Sequence, residues 1–418
     1  MRTFVAISIL LLVVMLVSLV IYIIGRRTWT TTLGWLKRRR GKRLAAALDG
    51  WLATADETVP VEIERMWRFP DRALFVDLCL DRLKGPDPGP HHRLVGWLES
   101  QGLVRGWLRD LASRNHWKRA RAAEMLGKVR VRCAVEPLIE ALGDPVFDVR
   151  MRAARALGAL GGHRARRALV ATLADETRWS VIRIADLLSG MGTQVVTELI
   201  EAYPGMSRAS RLATLDLIAH LGDASATDFL IGCIDDLDRD VRARAAAAIG
   251  RIGDRRGLPA LRIALQDTEW PVRAMSAKAL GQLGDTGSIA GLCASLRDPE
   301  WWVRANAGEA LHALGAPGVN ALVGMLDDQD QFARDQALAT LESSGYLDTC
   351  LAGIEVASSA GADALTAIRV LESLMTRHPR SRVDALRERL THPAARRAID
   401  QAIGQADEHP QVPREASL

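Results

Sequence analysis

From about residue 113 to about residue 347 the chain repeats itself. The segments DPVFDVRMRAARALGALG (144–161), DLDRDVRARAAAAIGRIG (236–253), DTEWPVRAMSAKALGQLG (267–284) and DPEWWVRANAGEALHALG (298–315) align without a gap. A marker arginine recurs as Arg119, Arg150, Arg211, Arg242, Arg273, Arg304 and Arg334, every 31 residues or, at a joint, every 30. Val181 fills the slot in the copy between Arg150 and Arg211, which makes eight copies. A period of this length marks a repeat architecture, in which a unit buries its apolar face only against its neighbours. A chain of 418 residues rarely forms a single core in any case.

Each copy has the same anatomy. An aspartate lies six residues before the marker position: Asp144, Asp175, Asp236, Asp267, Asp298 and, in the last copy, Asp328. Small and apolar residues then follow at helical spacing, as in Ala153, Ala154, Leu157 and Leu160. Glycine comes eleven residues after the marker, at Gly161, Gly192, Gly222, Gly253, Gly284, Gly315 and Gly345, where a helix needs a left-handed stop. A second helix such as 134–142, 257–265 or 318–326 closes the unit.

This pattern, D-x5-R-x-x-A-[AG]-x-x-[LI]-[GH]-x-[LI]-G, resembles HEAT repeats of the short type also seen in phycobilin lyase-like proteins. The resemblance covers residues 113–347 and is specific for fold, not for function. In that family the aspartate and arginine form a ladder between neighbouring repeats. The resemblance implies this role for Asp144 and Arg150, Asp236 and Arg242, Asp267 and Arg273, and Asp298 and Arg304. The copies around Val181 and Gly205, a glycine in the aspartate slot, interrupt the pattern, and a local change of curvature is expected there.

The N-terminal segment is of another kind. Residues 4–24, FVAISILLLVVMLVSLVIYII, hold no charge. As a helix, 21 residues span about 31 Å, the thickness of a bilayer core. A cleaved signal peptide would have a shorter apolar stretch and a small-residue cleavage site, whereas here Arg26 and Arg27 follow Gly25 directly. The segment reads as an uncleaved anchor. The fold class is therefore all-α: a right-handed α-solenoid of HEAT-like helix pairs preceded by one transmembrane helix. Only Arg2 precedes the anchor, while Arg26, Arg27, Lys37, Arg38, Arg39, Arg40, Lys42 and Arg43 follow it without an acid. Positive flanks stay cytoplasmic, so the expectation is a single-pass protein of a bacterial inner (cytoplasmic) membrane, N-terminus outside and repeats in the cytoplasm. Trp29 and Trp35 suit the interface, and the basic run suits anionic lipid, so residues 4–43 read as the lipid contact. A plain stop-transfer cluster explains the charges as well.

The domain reading runs 1–25 anchor, 26–43 basic juxtamembrane segment, 44–112 helical cap, 113–347 repeats, 348–404 helical cap and 405–418 disordered tail. Within the first cap, residues 85–90 read as a loop (Gly-Pro-Asp-Pro-Gly-Pro). Net charge is +5 overall, and the nine basic residues of 1–43 leave −4 on the rest. An acidic body is poor at releasing counterions from phosphate backbones, so nucleic acid is not an expected partner. Five scattered cysteines without C-x-x-C spacing argue for reduced thiols, not disulfides or zinc.

No nucleophile elbow, phosphate loop or H-E-x-x-H motif occurs. His91 and His92 are adjacent in a proline-rich stretch, and Asp235-Asp236 and Asp327-Asp328 occupy repeat turns. No enzyme activity, cofactor or metal is expected. The aromatics carry more. Trp117, Phe147, Trp179, Trp270, Trp301, Trp302 and Phe332 sit just before the marker position, so stacking lines them along one edge. Either each ring covers a joint between repeats, or the row is a contact ridge, tryptophan being enriched at binding hot spots. Second-helix positions are charged early (Glu136, Glu140, Arg167, Asp228) and bland late (Pro259, Ile263, Ala290, Ala294, Asn320, Gly324). Trp179, Trp270, Trp301, Trp302, Phe332 and Ile263 are the candidate partner-binding residues. The functional expectation is a membrane-anchored scaffold that holds a protein partner, with envelope polysaccharide synthesis or signalling as the pathways its architecture suggests. The alternative is a lyase-like or small-molecule-binding HEAT protein.

Overall fold

A computed structural model describes residues 15, 16, 18, 19, 22, 41–54, 59, 60, 63, 64, 67, 72–83, 88–175, 178–346 and 400. The described residues contain helices and turns, and no strand among them. Most of the expected anchor, residues 4–24, lies outside them, as do 26–40, the second cap (Asp400 apart) and the tail. Among the described residues no helix is long and apolar enough to cross a membrane. Lys42 and Arg43, expected in the juxtamembrane segment, belong to the helix of residues 41–53.

The chain divides into two compact units, residues 1–168 and 169–418. In the first unit the cap contributes the helices Arg72–Arg82, Pro88–Ser100 and Leu103–Leu111. The expected loop therefore ends sooner than it was read: Pro88, Gly89 and Pro90 already form the first turn of a helix. Proline is tolerated there because the first amides have no intrahelical acceptor to lose. Trp67, Phe75 and Trp97 pack edge to face, with centroids 4.9 to 6.4 Å apart. Arg82 donates two hydrogen bonds of 3.0 Å to the Asp49 carboxylate.

Repeats follow as pairs of a long and a short helix. In the second unit the long helices are Val181–Ser189, Arg208–Leu221, Arg239–Ile252, Trp270–Gln282, Trp301–Ala313 and Gln331–Ser343. The short ones are Val196–Ala202, Thr227–Cys233, Leu258–Ala264, Ile289–Ser295 and Ala316–Gly324. The glycine after each long helix has φ between 64° and 83°, a conformation that costs other residues steric strain. Small residues let the long helices approach closely. A Cβ at Gly250 would lie 2.7 Å from the Ala279 Cα, and one at Gly281 2.6 Å from the Ala310 Cα. The same pattern in the first unit sets Gly127 against Ala156.

Aspartate and arginine tie the stack together across repeats. The Arg242 guanidinium donates to the Asp267 carboxylate at 2.8 and 2.9 Å, and Arg273 to Asp298 at 2.6 and 2.9 Å. Arg119 binds Asp144 in the same way in the first unit, at 2.6 and 2.9 Å. Each partner lies in the next repeat. Toward its own repeat the arginine bonds backbone instead: Arg242 to the Asp236 carbonyl, Arg150 to the Asp144 carbonyl, and Arg273 to the Asp267 carbonyl, each at 2.9 Å. The same carboxylates accept a backbone N–H two residues on, as Asp267 does from Glu269 at 2.8 Å. One aspartate thus closes its turn and docks the preceding repeat. Burial pushes the Asp267 carboxyl up, but Arg242 and the Glu269 amide outweigh it and hold it below its ordinary value.

The ladder weakens at two joints. Arg211 reaches Asp236 only at 3.8 Å. Arg304 still donates to the Asp298 and Pro299 carbonyls at 2.7 and 2.8 Å. Its next repeat, however, comes after 30 residues rather than 31. Gln329 replaces the carboxylate at the paired distance, and the Arg304 guanidinium lies over the Phe332 ring, 4.6 Å from its centroid. Asp328 is taken by Arg297, with bonds that include one of 3.1 Å.

Candidate partner-binding edge

The aspartate turn decides where the aromatic rings go. After Asp267 or Asp298, Glu269 or Glu300 is extended and caps the helix, so Trp270 and Trp301 become first helical residues. In the last four repeats the third residue of the long helix faces the core: Val241, Val272, Val303 and Ala333 are essentially inaccessible. The first and second point away from it. Trp301 is therefore 53 % exposed and Trp302 57 %, their rings 4.8 Å apart and edge to face. Trp270 and Phe332 are also exposed. In the first unit Trp117 and Phe147 are exposed too, with Arg150 5.5 Å above the Phe147 ring.

Trp179 is a correction. It was expected in the row and is instead buried, at 6 % exposure. Its repeat has Val181 in the marker slot, with no guanidinium to bond the turn carbonyls, and its long helix starts only at Val181. The residue so falls before the helix rather than in its first turn. The Trp179 amide bonds the Asp175 carbonyl at 3.1 Å, and the ring turns inward.

Second-helix positions follow the sequence reading of faces. Glu136, Glu140 and Arg167 in the first unit, and Asp228, Pro259, Ile263, Ala290, Ala294, Asn320 and Gly324 in the second, are all exposed. Ile263 is 75 % exposed. The early part of that face is laced by ion pairs, Arg256 reaching Asp228 at 3.1 Å and Asp254 at 2.7 Å. The Arg256 side chain and backbone amide bring the Asp254 carboxyl down to about 2.

Among the described residues no group of three or more His, Cys, Asp or Glu is placed to hold a metal. Cys79 and Cys233 are buried, and burial pushes their thiols up to about 12 and about 11. Neither is poised as a nucleophile, which requires the thiolate. One departure from the repeat pattern is visible in the sequence itself. Arg130 stands eleven residues after Arg119, in the glycine slot.

The repeated helix pairs, the aspartate–arginine ties and the open rim define an α-solenoid repeat protein. The chain belongs to the HEAT-repeat family: the family model for HEAT repeats matches residues 105–189, 196–271 and 258–342, more than half of its length. No curated protein matches the sequence. Among solved structures it is similar to an engineered protein, at 18 % identity over 73 % of this chain and 98 % of that one, TM-score 0.33. It is also similar to the complex of CpcE and CpcF of phycocyanin lyase from Nostoc sp. PCC7120, at 20 % identity over 57 % and 94 %, TM-score 0.26. For importin beta the values are 10 % identity over 83 % and 59 %, TM-score 0.39.

Proposed function

We propose that this protein is a membrane-tethered HEAT scaffold. It acts by binding rather than by catalysis, and holds a protein partner along the aromatic edge of its last repeats, on the cytoplasmic side of the inner membrane. The observation that carries the reading is the row of exposed rings, Trp270, Trp301, Trp302 and Phe332, at the first two helical positions of three successive repeats. Rings that served only to cover joints would be covered themselves. Large apolar side chains left open along one edge are what a recognition surface needs. The neighbouring Glu300 and Asp335 are exposed acids, so the edge favours a partner segment bearing lysine or arginine, whose cations are also attracted to tryptophan faces. Tethering rests on the charge-free run 4–24 and the basic residues after it. It confines the search and raises the effective concentration of the partner at the membrane.

Photo-crosslinking tests this. A benzophenone amino acid at position 302 of the full chain is expected to trap a discrete partner in membranes. The same probe at position 209, the equivalent edge position three joints earlier, is expected to trap none. Equal yields from both positions would refute an edge-specific function. Deleting residues 1–43 is expected to release the protein from membranes, and retention would refute the tether.

A further inference from the structure

The first repeat breaks the glycine rule. Arg130 fills the slot that glycine holds in the other seven copies, yet it keeps the left-handed backbone, φ 54° and ψ 41°. It is the one non-glycine at positive φ among the described residues. A side chain in this conformation carries strain that glycine would relieve. Strain of this kind persists where the side chain serves something besides the fold.

Arg130 lines a cleft of about 440 Å³ in the first unit, within the range of small-molecule sites. The floor is apolar, formed by the narrow accessible edges of Leu80, Leu83 and Ala156, each 3 % exposed, and by the exposed Ala159, and the rim is charged. The rim charges do not cancel. Glu124 accepts from Lys128 at 2.6 Å and also from Arg152, and Asp148 accepts from Arg152 at 3.0 Å. Two acids are thereby matched with two bases. Arg130 and Arg155 remain, both exposed and without an ion pair among the described residues. Two uncompensated guanidinium groups beside an apolar floor match a dianionic head on an organic body. A phosphomonoester carries about −1.5 to −2 at neutral pH, and the planar guanidinium fork suits its oxygens.

We propose that this cleft binds a phosphomonoester, the phosphate between Arg130 and Arg155 and the organic body against Leu80, Leu83 and Ala156. The site is independent of the aromatic edge and does not require the scaffold reading.

The test is calorimetric titration of the full chain in detergent with three probes: inorganic phosphate, phenyl phosphate and short-chain phosphatidic acid. Phenyl phosphate is expected to bind saturably and at least tenfold more tightly than inorganic phosphate, since its ring is removed from water. Arg130→Gly and Arg155→Ala are each expected to weaken it at least tenfold. Arg130→Gly should at the same time raise the melting temperature by roughly 1–3 °C, so its loss of binding cannot come from misfolding. Arg155→Ala alters an exposed position and supplies a second variant with an undisturbed backbone. Binding of phosphatidic acid alone, lost in both variants, would assign the phosphate to a lipid headgroup. No saturable binding of any probe, or binding that neither variant weakens, would overturn the proposal.

Discussion

Two stretches of the same edge use the same helix position in opposite ways. In the fourth and fifth repeats the first residue of the long helix is Arg208 or Arg239. Arg208 reaches Asp238 at 2.5 Å and also pairs with Asp240, and Arg239 reaches Glu269 at 3.0 Å, so each bonds the following repeat. In the sixth and seventh repeats that position holds Trp270 and Trp301, with Trp302 beside the latter. Underneath, the two stretches are alike: the third helical residue is buried, a glycine brings the long helices together, and Arg242 and Arg273 dock on the next carboxylate. Stacking therefore does not require tryptophan at the rim. The charged stretch satisfies its neighbours, and the aromatic stretch leaves its rings available.

The largest effects belong to what the stretches share. Gly250→Val and Gly281→Val would each drive a side chain into the facing helix, and each is expected to cost about 3 kcal/mol. Similar losses of melting temperature from both would confirm a common stack, and a loss from one alone would break the comparison. Arg273→Ala leaves the Asp298 carboxylate, 9 % exposed, without its bidentate partner. An expected cost of about 2–4 kcal/mol can be read by chemical denaturation.

Acid should loosen both stretches. The Arg262 bonds hold the Asp285 carboxyl below its usual value, and the Arg297 bonds do the same for Asp328. Asp267 is also lowered, and Asp254 lies at about 2. Each folded value lies below the unfolded one of about 3.9. Their stabilisation is therefore complete above that pH and is lost as pH falls through the folded values. The melting temperature should be flat from about pH 7 to 5 and fall between about pH 4 and 2. A flat profile down to about pH 2 would show that the ties contribute little.

Smaller effects separate the two edges. Trp301→Ala/Trp302→Ala removes rings that are more than half exposed and should cost about 1–2 kcal/mol, given their remaining buried area. Arg239→Ala breaks a largely exposed pair and should cost less than about 1 kcal/mol. Thermal unfolding of the two variants side by side checks both. A collapse of the tryptophan variant would place those rings in the core.

The period, the glycine stops and the aspartate and arginine positions were legible in the sequence because each recurs and each has a local physical cause. The partner of each bond was less so. Arg242 and Asp236 share a repeat, but the side-chain bond joins Arg242 to Asp267, because the guanidinium at the helix start faces the next turn as well as its own. Trp179 could not be separated from Trp302 by register alone, since its inward turn follows from a helix that starts late at Val181. Trp301 and Trp302 could be judged, because adjacent residues entering a helix cannot both face the core. Arg130 was legible in principle at its offset from Arg119. Its retained left-handed backbone, however, is a property of the fold and not of the residue.

The most direct test of the central claim is affinity capture from solubilised membranes, comparing the intact chain with Trp301→Ala/Trp302→Ala at equal amounts of folded protein. The account predicts at least one membrane or cytoplasmic protein retained by the intact chain and by Arg239→Ala, and lost from the tryptophan variant. An identical set of captured proteins in all three samples would contradict it.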